Sequence, residues 1–78
     1  MYYVYILKCS DDKIYIGCTH NLKNRLKRHT TKQVLYTSQR LPVLLKFYCC
    51  VPNKYIAYNF ERYLKSGSGR AFIKKHLI

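Results

Sequence analysis

A chain of 78 residues has room for one domain built on one modest core, and it contains no internal repeat and no low-complexity linker. Its 15 Lys and Arg against 3 Asp and Glu give a formal charge of +12, a field that calls for a polyanionic partner. Nucleic acid is the first reading; a membrane surface and a basic protein without a specific partner are the others. No stretch reaches the apolar length of a membrane span, and the N-terminus lacks a basic region followed by an apolar run, so the expectation is a cytoplasmic protein with no membrane role.

Residues 2 to 9 and 13 to 18 are rich in Tyr, Val and Ile, with Asp11 and Asp12 between them as turn formers, and read as a β-hairpin. Alternation along a strand puts Tyr3, Tyr5 and Leu7 on one face and Val4 and Ile6 on the other. A register that sets odd residues opposite odd brings Tyr15 to the face of Tyr5; a slip of one residue separates them. Asn21 is a good N-cap for a helix whose stripe carries Leu22, Arg25, Leu26 and His29. The two leucines are expected to anchor that helix on the sheet. Arg25 and His29 then stand at the edge of the contact, while Lys23, Asn24, Lys27 and Arg28 face solvent.

Tyr36 to Arg40 and Pro42 read as a basic, polar loop. Residues 43 to 51 are apolar and β-prone, consistent with a third strand buried against helices. A second helix is expected from 53 to 65, with Ile56, Phe60 and Tyr63 or Leu64 as its core stripe and Ala57, Glu61 and Leu64 on an adjoining one. A last helix from about 70 to 77 closes the chain, with Gly67 and Gly69 shaping the turn before it. The expected architecture is α/β, one domain over residues 1–78: a small, mainly antiparallel sheet of three strands flanked by three helices.

Acids are scarce enough to limit the chemistry. Asp11 and Asp12 belong to the hairpin turn, which leaves Glu61 as the one carboxylate in the body of the chain. A two-metal site needs several convergent carboxylates, whereas one Glu suits a single Mg²⁺ that keeps most of its waters. The four cysteines form no CxxC pair and the three histidines are scattered, so reduced, mostly buried thiols are expected rather than structural zinc.

The run Tyr3-Val4-Tyr5, Tyr15-Ile16-Gly17, Leu22, Arg25-Leu26 and His29, continued by Ala57, Glu61, Leu64 and Lys65 to Arg70, resembles the small standalone bacterial members of the GIY-YIG nuclease superfamily. Tyr3 stands where the name-giving Gly would be. The resemblance implies a Mg²⁺-dependent endonuclease acting on DNA, with Mn²⁺ able to replace Mg²⁺. It further suggests structure-specific cleavage and a link to DNA repair or recombination. It implies catalytic roles for Tyr5 as general base, Arg25 as phosphate clamp, Glu61 as metal ligand, and Tyr15 and His29 as orienting or proton-moving groups. Tyr3, Gly17, Lys27, Arg28, Arg40, Lys65 and Arg70 are the substrate-binding candidates.

Each residue also has an ordinary reading. Tyr3, Tyr5 and Tyr15 suit half-buried strand positions, Arg25 suits a generic phosphate contact, and His29 suits a helix C-terminus. Glu61 can pair with Lys65 at i+4. Gly17 suits a close approach of backbone. The competing functions are a noncatalytic nucleic-acid-binding module and a subunit of a larger repair complex, with a partner protein supplying substrate recognition. The strong like charge predicts a monomer in the absence of substrate.

Overall fold

The computed structural model describes residues 1–78. Tyr2–Lys8 (β1) and Ile14–Thr19 (β2) form the expected antiparallel hairpin, turned at Asp12, whose φ of 66° lies in the left-handed region that Asp tolerates. Leu44–Val51 (β3) pairs antiparallel with the other edge of β1, giving the order β2-β1-β3. The hairpin register sets Tyr3 opposite Thr19, Tyr5 opposite Gly17 and Leu7 opposite Tyr15, so the odd residues do share a face.

The even face carries the core. Val4, Ile6 and Ile16 pack with Ala57, Leu64 and Ile73, which come from Lys54–Lys65 (α3) and Gly67–His76 (α4). Tyr5 and Leu7, also without exposed surface, lie on the odd face with Leu22–Thr30 (α1) and the single turn Leu35–Ser38 (α2). Asn21, Asn53 and Ser66 cap α1, α3 and α4, each accepting from a backbone N–H in the first turn. None of these helices is long and apolar enough to cross a membrane.

Several expectations change. There are four helices rather than three, because residues 35–38 close one helical turn inside the stretch expected to be a loop. β3 is not buried on both faces: it is an edge strand, and Leu44, Leu45, Tyr48 and Cys50 are exposed. An apolar run of this length reads the same whether one face or both are covered, and only the packing decides. Ile56 is exposed, so the buried stripe of α3 is Ala57 and Leu64 with Phe60 half-buried. Of the cysteines, Cys9 is buried, Cys18 and Cys49 are partly so, and Cys50 is exposed; all four are free thiols.

α4 begins at Gly67, directly after α3, so both glycines are helical and neither serves the expected turn. Gly69 is where α4 meets α3. A Cβ there would fall 2.5 Å from the Leu64 Cα and closer still to the Tyr63 carbonyl oxygen, whereas Gly67 has open space. Gly69→Ala is therefore expected to destabilise the protein by about 1–3 kcal/mol through overpacking. Gly67→Ala should be neutral or stabilise by up to about 1 kcal/mol. Urea unfolding of the two variants reads the contrast.

Candidate active site

Tyr5 is the centre of the odd face. Its ring lies across its cross-strand partner Gly17, where a Cβ would come within 2.8 Å of Tyr5 Cε1 and nearer to Cζ and the hydroxyl. Gly17 thus serves the close approach of a side chain, rather than of backbone to helix or substrate. The hydroxyl of Tyr5 is 2.9 Å from His29 Nε2, and His29 Nδ1 is 2.8 Å from Thr37 Oγ1. Thr37 donates its own proton to the Val34 carbonyl, so its oxygen accepts from His29 Nδ1–H. Nε2 then carries the lone pair, and the Tyr5 phenol donates to it.

Tyr5, His29 and Thr37 are all fully buried, and this chain of hydrogen bonds ties the central strand to α1 and α2. Burial raises the Tyr5 phenol well above its usual range and the neighbouring Tyr15 adds to it, while the Arg25 guanidinium acts the other way. Burial, then the charges of Arg25 and Arg28, push His29 from its ordinary 6.5 down to about 4. At neutral pH the pair is an uncharged phenol on an uncharged imidazole.

Tyr15 is the phenol on the solvent side of the cluster. It is half-buried, 4.7 Å from the His29 ring and 6.1 Å from the Tyr5 ring between centroids. With Ile14, Ile16, Tyr36, Lys65 and Arg70 it lines a cleft of about 230 Å³. The structure therefore gathers Tyr5, Tyr15, Arg25 and His29 in one place and sets Lys65 and Arg70 at the mouth. Lys27 and Arg28 lie apart, lining a polar hollow on α1 with Asn24, Thr31 and Gln33. Tyr3 lies farther along β1, beside Tyr48.

Arg40 has a structural task. Its Nε donates to Asp11 at 3.0 Å and its Nη1 to the Tyr36 carbonyl at 2.7 Å, and its guanidinium lies 4.2 Å from the centre of the Tyr36 ring. It clips α2 to the hairpin turn and so holds Thr37 under His29. Thr37 and this clip escape a reading of the sequence, because both lie in a polar stretch with no periodicity to separate them from an ordinary loop.

Glu61 is one-fifth exposed at its side chain and pairs with Lys65 at 2.7 Å, the i+4 contact that its spacing allows. It faces a second hollow, shared with Tyr58, Arg62 and Lys65. No three acidic, His or Cys side chains converge anywhere. The donor set therefore fits a hard cation held by one carboxylate with water and substrate oxygens, and does not fit a closed protein cage.

The acids complete the electrostatics. Lys8–Asp12, Arg40–Asp11 and Lys65–Glu61 occupy every carboxylate side chain in the chain. Half-buried Arg25, whose charge bears on both Tyr5 and His29, is left with no anionic partner.

The GIY-YIG catalytic domain model matches residues 1–75. The chain belongs to the GIY-YIG family. Its relatives include the UPF0213 protein CPE1444 of Clostridium perfringens, 44% identical over 66 residues, covering 83% of this chain and 71% of the relative. The UPF0213 protein SAG0778 of Streptococcus agalactiae serotype V is 38% identical over 78 residues, covering 95% and 89%. The solution structure of the UPF0213 protein BH0048 from Bacillus halodurans superposes with a TM-score of 0.60 at 32% identity, covering 96% of this chain and 84% of that one. Family membership thus makes this GIY-YIG chain a nuclease-type domain.

The buried imidazole makes stability pH-dependent. The unfolded chain protonates His29 near 6.5 and the folded chain only near 4, so between those values the unfolded state binds the extra proton and stability falls as pH falls. Urea unfolding should be flat in this respect above about pH 7 and lose about 3 kcal/mol by pH 4. His29→Gln should remove that part of the slope. Thr37→Val, which leaves His29 Nδ1–H unpaired, should cost about 1–3 kcal/mol at pH 7.

Proposed function

We propose that this GIY-YIG domain is a Mg²⁺-dependent endonuclease that hydrolyses DNA phosphodiester bonds. The observation that carries the reading is Arg25: a half-buried guanidinium beside a phenol and imidazole pair, in a chain whose every carboxylate side chain is engaged elsewhere. A phosphate diester supplies the missing anion, and the planar fork of Arg25 can take two of its oxygens.

The reaction needs a water to lose a proton, charge on the phosphate oxygens to be stabilised, and the leaving alkoxide to be neutralised. Tyr5 passes its proton to His29 Nε2 along the existing hydrogen bond while accepting one from water. Thr37 holds the imidazole in the tautomer that receives it. A bound phosphate offsets the charge of Arg25, one of the causes that lower His29, and so makes the imidazole a better base when substrate is in place. Because Tyr5 has no exposed surface, water reaches it only when the neighbouring side chains part. Tyr15, on the solvent side, is positioned to orient the water and the phosphate.

Glu61 would hold Mg²⁺, or Mn²⁺ in its place, once Lys65 turns to the substrate. An ion held there would supply charge stabilisation to the leaving oxygen. Lys65, Arg70, Lys27 and Arg28 contact flanking phosphates, Gly17 makes room for the Tyr5 ring, Tyr3 meets the substrate farther along β1, and Arg40 supports the site from behind. The basic surface suits branched or flapped DNA in repair or recombination, with a partner protein adding selectivity. Four free thiols suit a reducing, cytoplasmic setting, and the charge favours a monomer away from substrate.

The Lys65–Glu61 pair supports one alternative, a noncatalytic binding module in which Glu61 is merely a helix-surface residue. Cleavage of labelled duplex, flap, branched and single-stranded DNA with Mg²⁺ separates the two. Arg25→Ala is expected to lower cleavage about 100- to 1000-fold, and Tyr5→Phe by about 100-fold or more. Glu61→Gln should abolish cleavage while leaving binding in place. Binding without cleavage, unchanged by these substitutions, would establish the module instead.

A further inference from the structure

The odd face of the sheet is only half covered. α1 and α2 close over Tyr5 and His29, but the β3 side is open, with Tyr48 54% and Leu45 40% exposed. Between that strip and α1 runs a cleft of about 510 Å³. Tyr3, Tyr48 and Leu45 form its sheet wall, Leu22 and Leu26 its helix wall, and His20, Asn21 and Lys23 complete its lining. This explains why Leu22 and Leu26 remain half-buried: the stripe expected to anchor α1 on the sheet also faces this opening.

From this geometry we infer that the cleft holds an unpaired base of the DNA substrate. The inference rests on the nuclease reading and names the part of the substrate that this surface selects. Three features favour a base over another occupant. The Tyr3 and Tyr48 rings are 6.5 Å apart and inclined at 50°, so they do not stack on one another. The phenol face of Tyr48 is thereby left free for a flat ring, and sequence-tolerant stacking of bases on aromatic side chains is a general mode of single-strand binding. Lys23 beside these apolar walls suits the phosphate of the same nucleotide, and the +12 charge of the chain favours a polyanionic partner.

Position supplies the third argument. Tyr48 is the β3 residue paired with Tyr5, and Tyr3 is two residues before Tyr5 on the same face of β1. The cleft thus flanks Tyr5 on its β3 side, opposite the β2 side over which the Tyr5 hydroxyl reaches. A paired base within a duplex is stacked on both faces and cannot enter, so the cleft favours flaps, gaps and frayed ends over continuous duplex.

The test is binding measured by fluorescence anisotropy in EDTA, with a labelled flapped duplex, the same flap lacking the base nearest the junction, and a blunt duplex. The wild-type protein should bind the flap more tightly than the duplex. Tyr48→Ala should weaken flap binding about 5- to 100-fold and leave duplex binding unchanged, while Tyr48→Phe keeps the stacking face and the affinity. The abasic flap should bind wild type as weakly as the intact flap binds Tyr48→Ala, with no further loss when the two are combined. The comparison of intact and abasic flaps on wild type needs no variant.

Equal affinity for intact and abasic flaps in a protein that still cuts DNA would overturn this inference and leave the nuclease reading standing. Failure of wild type to bind any of the DNAs would overturn both. If wild type sediments as a dimer without DNA and Tyr48→Ala as a monomer, the cleft is a self-association face and the inference falls.

Discussion

The phenol of Tyr5 has to satisfy two demands at once, a resting place for its ring and a partner for its hydroxyl, and the rest of the molecule is arranged around meeting them. The ring is accommodated because residue 17 has no Cβ, and no other residue type could stand opposite Tyr5 without displacing it. The hydroxyl is satisfied by His29, which fixes the rotation and distance of α1 over the sheet. A buried hydroxyl left without a partner is costly, so this hydrogen bond is a structural requirement as well as a chemical one. Its extension to Thr37 makes the brief α2 turn part of the site, and the Arg40 clip holds that turn against the hairpin.

Charge in this protein is a matter of scarcity. Three carboxylates serve fifteen Lys and Arg, and each acid is tied to a neighbour on the surface. Such pairs contribute little to stability individually. Their consequence is that nothing inside the chain neutralises Arg25. The same cation disfavours a proton on His29, although burial is the larger influence, so an anion that neutralised Arg25 would also ease protonation of His29.

The two faces of the sheet divide the labour. The even face, closed by α3 and α4, holds most of the apolar core, and the close crossing at Gly69 lets α4 follow α3 without a connecting loop. The odd face is covered only in part, which leaves Tyr15 at one opening and Tyr48 at another. A fully covered sheet of this size would be better packed and would have no place for a substrate.

Much of this was legible in the chain alone, because the information is local. Alternation of apolar residues marks β1 and β2, Asn21 marks the start of α1, and the offset between residues 25 and 29 places two functional groups on one stripe. The hairpin itself was legible, but its odd-to-odd register was left open between two alternatives until the strands were paired. What the chain did not disclose depends on contacts between distant segments. An apolar run such as 44–51 has the same pattern at an edge as in a centre; a Thr or Arg in a polar stretch looks alike whether it faces water or a buried imidazole. The sequence by itself determined the strands, the principal helices, the excess of positive charge and the family motif. Only the tertiary structure decided that Tyr5 is shut away behind Tyr15, that Thr37 and Arg40 support the site, and that β3 leaves a cleft open, since each is a question of which surfaces meet.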